Sequence, residues 1–265
     1  MRPTIHTIPY AAALAPPEAV PEVRVVTVER SSTWLARGFD DLRTHPGIGL
    51  AYGSAFAFVG WLLTFGLHGI GMDSLILPLA SGFMLIGPLA AVGLYEVSRR
   101  REAGEPVTLL DALAAMRRNG QMADMGLALM LLFFAWFQLA MIIFALFFGG
   151  SPPALADFLH QVLAAPQGMP FLATGTIVGG AVATVAFSIS VVSMPMLLDR
   201  RVSVLTAIRA SLRSVWLNRR MMVGWAATLA ALGFLGMAFF FVGLAVTLPI
   251  AAHASWHAYR DLVGR

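Results

Sequence analysis

From Met222 to Tyr259 the chain carries no Asp, Glu, Lys or Arg. As one α-helix rising 1.5 Å per residue this run would be roughly 57 Å long, nearly twice the ~30 Å hydrocarbon core of a bilayer. It must therefore fold back or lie partly along the interface. A turn between about Phe239 and Gly243 makes two short spans; one span followed by an interfacial segment is the alternative. Four further segments have the length and apolarity of a crossing: Ile48 to Ile70, Leu75 to Tyr95, Met125 to Phe148 and Phe171 to Leu198. With 58% hydrophobic and only 12% charged residues, against roughly 25% charged in a soluble domain, the chain reads as an integral membrane protein. The expected fold is all-α, a polytopic membrane bundle of six transmembrane helices arranged as three hairpins.

The basic residues, all arginine, support that count. They fall in residues 1–47, 96–122, 199–221 and the C-terminal tail, and none lies in 71–74 or 149–170. With six spans every arginine is on one side, which the positive-inside rule makes cytoplasmic, with both termini there. The first 32 residues are broken by Pro3, Pro9, Pro16, Pro17 and Pro21 and have no continuous apolar core. They read as a disordered cytoplasmic tail rather than a cleavable signal, leaving residues 33–263 as the membrane domain. The absence of cysteine excludes disulfides, thiolate nucleophiles, iron–sulfur clusters and covalently attached c-type haem.

A weak repeat runs through the domain. Before the first, third and fifth spans a short amphipathic run leads to His45, Asn119 or Asn218. In the third run Val204, Leu205, Ile208, Leu212, Val215 and Trp216 share one helical face, opposite Thr206, Arg209, Arg213 and Ser214. In the first, Trp34, Leu35, Phe39 and Leu42 oppose Arg37, Asp40, Arg43 and Thr44. Such interfacial helices are expected on the cytoplasmic membrane surface, arginines toward anionic head groups. Pro88, Pro195 and Pro249 occupy comparable places in the even spans, where each removes a helical hydrogen bond.

The segments "LPLASGFMLIGPLAAVGLYEVSRRREAGEP", "FSISVVSMPMLLDRR" and "HASWHAYRDLV" resemble the bacterial predicted integral membrane proteins grouped as domain of unknown function 2189, over about residues 34–263. The resemblance implies a bacterial multi-pass inner-membrane protein and carries no activity. Some members bear names that evoke cytochrome c oxidase, which the histidines can test.

His253 and His257 are one helical turn apart, a spacing able to place two imidazoles on one metal. The other histidines, His6, His45, His68 and His160, offer no ligand at matching depth on a second span. An interfacial helix end, anchored by Trp256 and Tyr259, is the preferred reading, with no metal and no cofactor. Glu96, Asp199 and Asp261 each follow an even span and each has arginine nearby: Arg99 and Arg100, Arg200 and Arg201, Arg260. With the histidines these form a candidate cluster at a cytoplasmic mouth, either an anion site or ordinary partly exposed ion pairs. Arg200, Arg201, Arg209, Arg213, Arg219 and Arg220 are candidate lipid head-group contacts.

No carboxylate or arginine sits at mid-depth, which argues against an ion-coupled transporter. Gln138 and the serines of the fourth span, Ser188, Ser190 and Ser193, are the deepest polar candidates for lining a path. Small residues at four-residue spacing, Gly49, Gly53 and Ala57, then Gly175, Gly179 and Ala183, then Ala227 and Ala231, mark helix packing faces. Residues 150–167 read as a turn and a short outer helix with Leu155, Phe158, Leu159 and Val162 toward lipid. No Walker loop, dinucleotide fingerprint, nucleophile elbow or HExxH is present. The expectation is a non-enzymatic membrane protein that organises lipid or partner proteins. Its partners are anionic membrane lipids and an unidentified protein or a second copy of the chain, not nucleic acid. The alternatives are a passive channel or lipid-handling transporter, favoured by a cavity reaching mid-membrane, and, behind both, a haem or metal redox protein.

Overall fold

A computed structural model describes residues 20–149 and 162–264. Helix α1 (Arg30–Thr44) is followed by α2 (Pro46–Gly69), a 3₁₀ turn at Asp73–Leu75, α3 (Ile76–Ala90) and α4 (Val92–Ala103). Then come α5 (Leu109–Ala114), α6 (Gln121–Phe148), α7 (Gly168–Ser190), α8 (Ser193–Asp199), α9 (Val204–Leu217), α10 (Arg219–Ala238) and α11 (Leu244–Val263). Among the described residues there is no strand, so the all-α class holds. Five stretches are long and apolar enough to cross a membrane: Pro46–Gly69, Asp73–Ala103, Gln121–Phe148, Gly168–Asp199 and Arg219–Ala238.

The uncharged run from Met222 does fold back. Helix α10 ends at Ala238, the chain turns through Phe240 and Phe241 at φ of 49° and 64°, and α11 starts at Leu244. Helix α11 is long enough but not among the five stretches, because His253, Ser255, His257, Tyr259, Arg260 and Asp261 make its second half too polar. It runs antiparallel to α2, with Phe241 against Gly60, Ala245 against Gly53 and Pro249 against Gly49. A Cβ on Gly53 would stand 2.6 Å from the Ala245 carbonyl oxygen, so only glycine admits α11 this closely. The turn thus sits level with Gly60, and the last nine residues of α2, roughly 14 Å, continue beyond it. From His253 onward α11 is enclosed by protein: His253, Ala254, Trp256, Ala258, Tyr259 and Leu262 are buried. Five crossings therefore have the expected character; the sixth expected span is a helix whose second half is protein core.

Arg24 N–H donates to Leu262 O (2.7 Å), Arg101 pairs with Asp40 and Asp41, Arg260 with Glu102, and Asn119 Nδ2 donates to Leu197 O. The arginine-bearing segments thus meet at one end of the bundle, where both described chain ends also lie. Residues 20–29 correct the expected extent of the tail. Asn218 Oδ1 accepts from Val26 N–H (2.8 Å), its Nδ2 donates to Arg24 O (3.0 Å), and Val23 is buried. A segment whose backbone hydrogen bonds are met by the bundle is part of the domain, which therefore begins near residue 20 rather than 33; residues 1–19 lie outside the described residues. So does the expected outer helix with Leu155, Phe158 and Leu159; only its Val162 is described, and that residue is buried.

Pro195 interrupts the fourth span. Its ring cannot coexist with the carbonyl four residues back in a regular helix, and α7 stops at Ser190 while α8 starts at Ser193. Val192 N–H and Ser188 O, which would otherwise bond each other, are bridged by Ser211 of α9: its Oγ accepts from Val192 N–H (3.2 Å) and donates to Ser188 O (2.7 Å). A side chain inserted into the helical ladder is a recognised cause of a kink. Ser211→Ala leaves both groups buried without partners, an expected loss of about 1–3 kcal/mol, read as a lower thermal midpoint of the detergent-solubilised protein. An unchanged midpoint would remove the serine from this role.

Candidate functional site

The charged end is built from α1, α4, α8 and α11, and its charges fall into four neighbouring groups. In the first, Asp41 of α1 is 2% exposed and accepts from the Ser98 hydroxyl (2.5 Å), from His257 Nε2 (3.0 Å) and from Arg101. With its proton given to Asp41, Ser98 Oγ accepts from His253 Nδ1 at 2.8 Å. Both histidines therefore serve one carboxylate. In the second, Glu96 is 1% exposed and receives Arg99 Nε (2.8 Å), Arg100 Nε (2.8 Å) and Arg118 (3.1 Å). In the third, Asp199 accepts from Tyr259 Oη (2.7 Å) and Arg260 (3.2 Å), and Arg260 also reaches Glu102 (3.1 Å). Arg200 donates to Tyr259 Oη (3.1 Å) and to Gly264 O (2.6 Å). In the fourth, Asp261 accepts from Trp34 Nε1 (2.8 Å), with Arg30 at 3.4 Å and Arg37 at 3.9 Å.

Glu96, Arg99, Arg100, Asp199, His253, His257, Arg260 and Asp261 are thus gathered at one end but face the interior as paired groups. Among the described residues no cluster of three or more His, Asp or Glu is placed to hold a metal ion. Asp41, Ser98 and Arg101 were missed in the sequence. Asp40 and Asp41 are adjacent in an amphipathic run, and a helical wheel assigns such acids to solvent. The helix is instead rotated. Gly38, where a Cβ would lie 2.6 Å from Ala254 N, brings the α1 backbone onto α11, so that Trp34, Gly38, Asp41 and Leu42 point inward and Phe39 outward.

Helix α9 has three sectors rather than two faces. Thr206, Ala207, Ala210, Ser211 and Ser214 are buried against the bundle, so Thr206 and Ser214 are not on the outer polar face assigned to them. Leu205, Leu212 and Trp216 point outward, Trp216 at 73% exposure. Arg209 and Arg213 are exposed along the edge between. Arg201, Arg209, Arg213, Arg219 and Arg220 have no ion pair among the described residues, whereas Arg200 pairs with Asp199 at 3.7 Å. The candidate set therefore divides: one arginine pairs with the protein's own charges, and five have no acidic partner among the described residues. Gln138 is exposed on the outside of α6, away from a cavity of about 520 Å³ that Ser188 and Ser190 do line.

The Asp41 carboxyl is lowered from an ordinary 3.8 to about 2: burial works the other way, raising it, and is outweighed by hydrogen bonds from His257 and Ser98 and by attraction to His257 and His253. A carboxyl lowered on folding stabilises fully above its unfolded pKa, and that contribution is lost as pH falls through the folded one. Asp41→Asn should destabilise by about 3–5 kcal/mol at neutral pH, as for a buried pair losing one member. The gap in thermal midpoint between variant and wild type should hold down to about pH 4 and narrow toward pH 2. A gap independent of pH over that window would mean that ionisation of Asp41 is not what stabilises the fold.

No curated protein and no solved structure matches the chain. Residues 76–199, from α3 to α8, match the model of a family described as predicted integral membrane protein, domain of unknown function 2189, and with its five membrane-length stretches the chain is an integral membrane protein.

Proposed function

We propose that this is a non-enzymatic protein of the bacterial inner membrane that organises anionic lipid in the cytoplasmic leaflet, its arginine-rich end and both termini facing the cytoplasm. The positive-inside rule supports that orientation. The observation that carries the reading is the outer surface of α9: Leu205, Leu212 and Trp216 point away from the bundle, and Arg209 and Arg213 beside them have no acidic partner among the described residues. An amphipathic helix lying in the interface buries such an apolar sector among acyl chains and presents its arginines to head groups. Arg201, Arg219 and Arg220 flank it without ion pairs among the described residues, so five positive charges without a described acidic partner meet one leaflet, each contributing about 1 kcal/mol near an anionic surface before screening. The cavity between α3, α7, α10 and α11 favours a lipid-handling role as the second reading.

Replacing Arg209 and Arg213 with glutamine leaves the flanking arginines to hold topology and removes about 2 kcal/mol of attraction before screening. The anionic lipid co-purifying with the protein, measured by lipid mass spectrometry against total phospholipid, should fall severalfold. If that fraction is unchanged, α9 is a packing and topological element and the lipid-organising role fails.

A further inference from the structure

The 520 Å³ cavity is a cleft between α7 and α10, backed by α3 and α11. Its two edges are exposed: Ala183 and Thr184 on α7, Val223, Ala227 and Ala230 on α10. It therefore opens sideways, at the depth where the surrounding solvent is lipid. At the charged end its lining includes Arg219, exposed and without an ion pair among the described residues. From Arg219 to Gly233, both in the lining, α10 rises roughly 21 Å. At the far end its lining includes Phe83 and Leu244, which also line an outer cavity of about 70 Å³.

The chemistry of the walls restricts what fits. Thr184, Ser190 and Ser255 face the cleft in name only, since each gives its hydroxyl proton to a carbonyl one turn back in its own helix (2.7, 2.6 and 2.7 Å). A buried water needs about three polar partners, and these walls are alkyl and aromatic for most of their length. A volume of this size is ordinary for a small-molecule site. A hydrophilic solute would find few groups to bond: the Arg219 guanidinium, the Ser188 hydroxyl and the buried Thr247 hydroxyl, which has no partner among the described residues.

We infer that the cleft holds an acyl chain of one anionic lipid from the arginine-side leaflet, its headgroup on Arg219. The occupant is set by charge complementarity at one end, by apolar walls along the rest, and by an opening that acyl chains already face. The inference goes beyond the α9 reading and does not depend on it, because α9 meets bulk lipid on the outside of the bundle whereas the cleft retains a single molecule.

The full chain, reconstituted into nanodiscs of equal parts phosphatidylglycerol and phosphatidylcholine and then released into detergent, is weighed by native mass spectrometry. Wild type should carry a one-to-one phosphatidylglycerol adduct that survives detergent exchange. Ala227→Trp and Ala183→Trp, on opposite edges and both projecting into open space rather than into packed core, should each lose it. Arg219→Gln should keep one lipid per chain but lose about fivefold in preference for phosphatidylglycerol. The Arg209→Gln, Arg213→Gln double variant should keep the adduct, and if it alone loses it the lipid sits on α9 and the cleft inference is wrong. Retention of the adduct in both tryptophan variants, an adduct whose mass is not that of a lipid, or an unchanged headgroup preference in Arg219→Gln would each overturn the assignment.

Discussion

Everything at the arginine-rich end depends on one buried carboxylate. Asp41 ties α1 to Ser98 and Arg101 of α4 and to His257 of α11. An ionised acid at 2% exposure is tolerable only with several donors around it, and those donors come from α4 and from α11 at the far end of the chain. The consequence is geometric. Helix α1 is drawn from the membrane surface onto α11, close enough that Gly38 meets the Ala254 backbone, and Trp34 stands edge-on to Trp225 at 5.3 Å. Its counterpart in the repeat, α9, has no buried acid and keeps a large apolar sector facing outward. One carboxylate thus separates a helix drawn into the core from one that keeps an exposed apolar sector.

The spans were legible because the bilayer imposes them. Runs such as Met125 to Phe148 have no alternative to crossing, and the structure extends that run only back to Gln121. The fold-back between Phe239 and Gly243 was legible for the same reason. Helix α11 was harder, because its buried second half, with His253, Trp256 and Tyr259, has the composition of an interfacial helix end; whether such residues meet lipid head groups or protein is decided by α1, far away in sequence. The Asp41 group was invisible for a related reason. Its partners are 57 to 216 residues distant, and local amphipathicity points Asp41 outward.

Small residues show the same limit. Gly49 and Gly53 do what four-residue spacing announces and admit α11 against α2. Ala183 and Ala227 carry an equal signal, yet they stand on opposite edges of the cleft. Spacing of small side chains reports that something approaches closely, not whether that neighbour is a helix or a lipid. The serines at the α7–α8 break make the complementary point: Ser211 is unremarkable on α9 until Pro195 opens a gap in another helix that only a hydroxyl at that place can bridge.

The strap formed by residues 20–26 has a bearing on how the protein is made. Arg24 bonds Leu262, and Val26 bonds Asn218, so the earliest part of the domain to leave the ribosome is completed by the latest. Until α11 emerges, α1 has neither His257 for Asp41 nor Asp261 for Trp34. Contacts of such long sequence separation are slow to form, so through most of synthesis α1 is an amphipathic helix without the partners that bury its inner face. A chain stopped after α10 would have its crossings in place and its charged end open, an unsealed intermediate that a quality-control protease could distinguish from the finished bundle.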